Sequence, residues 1–105
     1  MTIDTLIRKL NDDWGWASLD VSLRGDGKWT ASLQSVKVFS QKGEQIERVQ
    51  AQAFIAQNAV KLLVRWLRGK RVCLRGANGG ADGPVFKVPR TLRIPIVRRS
   101  LDSGR

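Results

Sequence analysis

The chain has 105 residues, a net charge of +10, a 42% apolar share, one cysteine and no histidine. This length is that of one domain with one modest core, which the apolar share and the tryptophans Trp14, Trp16, Trp29 and Trp66 can supply. A lone Cys73 without histidine excludes internal disulfides, zinc sites of the Cys/His type and every catalytic triad that needs imidazole, and no cofactor is expected.

At the N-terminus Thr2 is placed to cap a helix, Asp4 lies in its first turn, and Ile3, Leu6, Ile7 and Leu10 share one helical face. Met1 to Leu10 is amphipathic rather than a signal peptide, and the chain contains no run of about 18 apolar residues. A soluble cytoplasmic protein that does not enter the membrane is the expectation.

The period then changes to two. Leu19, Val21 and Leu23 alternate with polar residues, Gly25-Asp26-Gly27 supplies a turn, and Trp29, Ala31 and Leu33 resume the alternation, which predicts a β-hairpin. Val36 and Val38 are out of phase with Leu33, as a bulge or a new strand would make them. A turn at Lys42-Gly43-Glu44 precedes a further strand around Val49 to Ala53.

From about Phe54 to Arg68 the period is 3.6, with Ile55, Ala56, Ala59, Leu62, Leu63, Trp66 and Leu67 predicted as one broad apolar face. Gly69 stands where a helix C-cap belongs, and Lys70 to Leu74 reads as a returning strand. Gly76 to Pro84 is a loop by composition, and Val85 to Val88 reads as a last short strand. Pro89 and Pro95 withhold ladder hydrogen bonds, so residues 90–105 are expected as an extended basic arm. The predicted architecture is therefore α+β. It has a short N-terminal helix, one antiparallel sheet of three to five strands with a long helix packed on it, a single domain over 1–89 and an arm over 90–105.

The charge is local. Up to Val60 seven cations balance seven acids, whereas from Lys61 onward twelve cations face only Asp82 and Asp102. Nine of those twelve are arginine, whose planar fork matches phosphate geometry. Lys61, Arg65 and Arg68 fall on one helix face, Lys70, Arg71 and Arg75 extend the charge into the next strand, and Lys87, Arg90, Arg93, Arg98 and Arg99 follow. This set predicts contact with a nucleic-acid backbone, DNA or RNA, rather than readout of bases. An acidic protein partner is the alternative that the same charge allows.

Other motifs carry little chemistry. Gly76 to Gly83 lacks the Gly-Lys-Ser/Thr of a phosphate loop, and Asp12-Asp13 reads as turn chemistry rather than an acid/base pair. Cys73 follows two cations yet has neither a second cysteine nor a base beside it, so a structural thiol is expected. No nucleophile, base and orienting group can be assembled, and an enzyme is not expected.

The order of short helix, antiparallel strands and long helix over residues 3 to 67 resembles a double-stranded-RNA-binding domain. Where that family has a lysine cluster, this chain has Gln50-Ala51-Gln52-Ala53-Phe54. Leu19 to Leu67, with Gly27-Lys28-Trp29-Thr30-Ala31 in the second strand and Gln57-Asn58-Ala59 opening the helix, also resembles the small domain of HicB-type antitoxins. These resemblances imply, respectively, an RNA-binding role and a protein-interaction role, the latter as an antitoxin or an inhibitor of a host protein. Small size and dense arginine are also typical of phage or mobile-element accessory proteins.

Overall fold

A computed structural model describes residues 1–11, 15–46, 48–76 and 80–94. The chain begins with helix α1 (Ile3–Asn11), whose Ile3, Leu6 and Leu10 are buried. The Thr2 hydroxyl accepts the Thr5 backbone N–H at 3.2 Å, satisfying one of the donors that a helix start leaves unpaired. At the other end the Asn11 side chain clamps Ala17, donating to its carbonyl and accepting its N–H. The helix is thereby fastened to the start of the first strand.

Strands β1 (Ser18–Leu23) and β2 (Trp29–Gln34) form the expected antiparallel hairpin, with Leu19 opposite Leu33 and Val21 opposite Ala31. Its turn is closed by the Gly27 N–H on the Arg24 carbonyl and the Lys28 N–H on the Asp26 carboxylate. Gly27 has φ +85°, a value that favours a residue without Cβ.

The phase shift after Leu33 is a change of sheet. Ser35 adopts φ +63°, and beyond it β3 (Val36–Phe39) pairs in a second sheet instead of prolonging the first. One residue in the left-handed region lets Leu33, Val36 and Val38 all be buried although their spacing breaks the alternation. β3 turns through Ser40–Glu44 into β4 (Gln45–Ile46), and the chain returns to the first sheet as β5 (Gln50–Ala53), antiparallel to β2. The second sheet is completed by β6 (Arg71–Leu74) and β7 (Phe86–Lys87). The fold is α+β as expected, but it has two antiparallel sheets, β1-β2-β5 and β4-β3-β6-β7, where one was expected.

Helix α2 (Ala56–Leu67) packs across the first sheet, is capped at Arg68, and is followed by Gly69, which has φ +79°. It starts two residues later than the periodicity suggests, because Ile55 is extended at φ −121°, ψ 132°. Its buried residues are Ala59, Leu63, Val64 and Leu67. The predicted apolar face is thus corrected by a rotation: Val64 points inward, while Leu62 is 42% and Ile55 60% exposed. Trp29 and Trp66 lie half-buried at the edge of the core and Trp16 is exposed. Trp14, Asp12 and Asp13 fall outside the described residues.

The start of the expected arm is a second correction. Leu92 has 0% exposure and Ile94 packs against the same core, which also contains Ile3, Leu6, Leu63, Val72 and Val88. The Ile3 N–H donates to the Arg93 carbonyl at 2.9 Å and the Arg93 N–H donates to the Met1 carbonyl at 3.0 Å, forming a parallel bridge between Thr2 and Arg93. Pro89 does not prevent this, since the pairing begins only at Arg93. Residues 90–94 are therefore held against the domain, and the rest of the expected arm lies outside the described residues. Among the described residues no helix is long and apolar enough to cross a membrane.

Candidate functional site

Residues 61, 65 and 68 recur at steps of four and three, which puts them on one side of a helix. In the fold that side is the exposed flank of α2, where Lys61, Arg65 and Arg68 line a cleft of about 200 Å³. The fourth cation of this cleft comes from far along the chain: Arg93, carried there by the bridge to Thr2, with Val64 and Ile94 beneath. The register alternates, with Leu92 buried and Arg93 exposed. A hydrogen bond from the Arg68 Nε to the Leu92 carbonyl, 2.8 Å, ties this segment to the helix.

Among the described residues no acid lines the cleft. Among the described residues the ion pair is between Lys37 and Asp82, 2.7 Å, formed elsewhere. Four cations around one depression repel one another, and the field they create attracts an anion.

A second group gathers at the edge of the other sheet. Arg71 and Lys87 are direct partners across β6 and β7, and with Arg90 they line a cleft of about 260 Å³ beside Gln41 and Gly69. Like charges placed opposite each other on neighbouring strands are destabilising on their own.

The remaining predicted site residues are dispersed. Lys70 is committed internally, donating from Nζ to the Trp66 carbonyl and lying 4.5 Å from the centroid of the Trp66 ring. Arg75 is exposed in a different depression, next to Asp82 and Trp16. Arg98 and Arg99 lie outside the described residues.

Sequence reasoning missed one feature altogether. On the opposite flank of α2 lies an open cleft of about 650 Å³, in which Phe54, Ile55 and Leu62 meet Lys28, Gln52 and Asn58. Lys61 and Arg65 line this cleft as well as the basic one, so they form the ridge between the two. The available signal was Leu62, which is out of step with the inward set Ala59, Leu63 and Leu67 once Val64 is counted among them.

Cys73 is buried, and its thiol is pushed up from the ordinary 9.0 by burial first and by the Asp82 charge second, against the opposing pull of Lys37 and Arg75. The proximity of cations therefore does not make it a reactive thiolate. Asp82 is held below the usual carboxylate value by its hydrogen bond from Lys37, and then by the Gly76 N–H at 2.8 Å. That contact braces the loop between β6 and β7. Comparison of the chain with protein-family models, with curated proteins and with solved structures yields no match, which leaves the residues of these clefts to indicate their own ligand.

Proposed function

We propose that the protein is a small, non-catalytic nucleic-acid-binding module that holds backbone phosphates along the exposed flank of α2. The observation that supports this reading best is the convergence of Arg93 on Lys61, Arg65 and Arg68 in one cleft that no acid lines among the described residues. Cations scattered over a surface serve solubility equally well, but four brought together from two distant segments repel until an anion neutralises them. Three of the four are arginine, which can take two phosphate oxygens at once in a charge-assisted pair. Helix placement of Lys61, Arg65 and Arg68 lowers the entropy lost on contact. The group at Arg71, Lys87 and Arg90 supplies further phosphate contacts of the same kind. Cytoplasmic residence belongs to the same proposal, since a buried, unpaired Cys73 suits a reducing compartment.

The test is titration with short single- and double-stranded DNA and RNA at about 50 mM and about 200 mM salt. Binding that weakens steeply between the two concentrations supports the proposal. Absence of binding to every nucleic acid, together with capture of an acidic protein that depends on Lys61 and Arg65, would replace it with the protein-partner reading.

A further inference from the structure

We propose that the cleft beside Phe54 receives an unpaired base, which makes a single strand the preferred ligand; this rests on the phosphate-binding reading of the neighbouring basic cleft. Phe54 follows β5 directly and is 72% exposed, with Ile55 and Leu62 open beside it. Aromatic surface left this open loses the gain that burial would bring, and a contiguous apolar patch rimmed by polar groups marks a binding surface.

The rim indicates what the patch takes. Lys28 lies over the Phe54 ring, 5.6 Å from its centroid, and Lys61 and Arg65 close the cleft on the side of the basic one. Among the described residues no acid lines either cleft. Two amides face the same space. The Asn58 side chain makes no hydrogen bond among the described residues, and Gln52 uses only its Nε2, donating to Thr30 at 3.4 Å. An amide offers donors and an acceptor together, which is the complement of a base edge.

Ring, amides and cations therefore occur in the order in which a nucleotide presents base and phosphate. A strand whose phosphates cross the Lys61–Arg65 ridge can lay a base on Phe54. In a duplex both faces of each base are already stacked, so the ring gains nothing, whereas stacking on an aromatic side chain is open to every base of a single strand. An amphipathic peptide could use the apolar floor, but it would not need the second cleft of four cations across the ridge.

The experiment is fluorescence anisotropy titration of a short mixed-sequence oligonucleotide, single-stranded and as its duplex, in DNA and in RNA form. The proteins are the unmodified chain, Phe54→Ala and Phe54→Trp, each with its melting curve recorded. The expected result is tighter binding of the single strand, and a loss of about tenfold in Phe54→Ala for the single strand alone. The slope of affinity against salt stays unchanged, and Phe54→Trp restores binding. Equal affinity for single strand and duplex, or a Phe54→Ala variant that binds both as before, would overturn the base cleft while leaving the phosphate reading intact. Salt-dependent binding of neither form would overturn both, as would tighter binding of an acidic amphipathic peptide that Phe54→Ala abolishes.

Discussion

The Nε of Arg68 donates to the carbonyl oxygen of Leu92 at 2.8 Å, joining the end of α2 to the segment that delivers Arg93. One residue thus belongs to both the fold and the basic cleft. Its Nε holds the chain in place, and its other guanidinium donors have no acceptor among the described residues. The same contact fixes the backbone that carries Arg93 relative to the end of α2.

Removal of the chain after Pro89 is therefore expected to destabilise the domain rather than trim an appendage. It deletes Leu92, which has 0% exposure, and both backbone bonds that Arg93 makes to the N-terminal segment. In the full chain Leu92→Ala should cost about 2–5 kcal/mol, as a cavity in a packed core does. Urea unfolding checks both; a truncated chain with an unshifted midpoint would show that this segment adds nothing.

The rotation of α2 makes a paired prediction. Leu63 is fully buried and Leu62 is 42% exposed, although the two are adjacent. Leu63→Asp should leave the protein unfolded, because an unpaired buried carboxylate costs several kcal/mol against a total stability of about 5–15 kcal/mol. Leu62→Asp should stay within about 0.5 kcal/mol of the unmodified chain. Melting curves of the two variants should differ accordingly.

Cys73 predicts the behaviour of stability at alkaline pH. Because its thiol is raised above 9.0 in the folded state, mainly by burial, the unfolded chain ionises first as pH rises. The contribution to stability is complete below 9.0 and is lost as pH climbs through the raised value. Cys73→Ala should accordingly show a shallower alkaline fall in melting temperature than the unmodified protein. Parallel falls would contradict the burial argument.

The environments of Arg65, on α2, and Lys70, beside it, separate binding from folding. Arg65→Glu, at the ridge, should weaken nucleic-acid binding by about 2 kcal/mol, roughly thirtyfold, with little change in melting temperature. Lys70→Ala should do the reverse, since Lys70 is occupied by the Trp66 carbonyl and ring. Anisotropy and thermal unfolding of both variants measure the contrast.

Local signals explain what could be read from the residues alone. Thr2 with Ile3, Leu6 and Leu10 announced α1, Gly25-Asp26-Gly27 announced the hairpin, and Gly69 announced the end of α2. The phase break at Ser35 was visible, but its consequence, a second sheet, depends on β6 arriving opposite β3 from much later in the chain. The burial of Leu92 was hidden for a similar reason. Two inward residues, Leu92 and Ile94, make too short a pattern between Pro89 and Pro95 to show a strand, and the pairing that seats them, Arg93 with the Met1 and Ile3 backbone, reaches to the other end of the sequence. Lys61, Arg65 and Arg68 were recognisable as one helical face, whereas Arg93 joined them only through that nonlocal bridge. Ile55 and Leu62 were assigned to a core because hydrophobic residues in helical spacing usually belong there, and Phe54 was read only as the start of the helix.

The central claim, that Lys61, Arg65, Arg68 and Arg93 act together on phosphates, is tested most directly by the slope of log affinity against log salt. Each phosphate neutralised contributes about −0.7 on a single strand, so these four cations alone account for a slope of about −3. Arg65→Ala combined with Arg93→Ala should make that slope shallower by about 1.4 while the melting curve is retained. A slope near zero in the unmodified protein, or one that the double substitution leaves unchanged, would contradict the account.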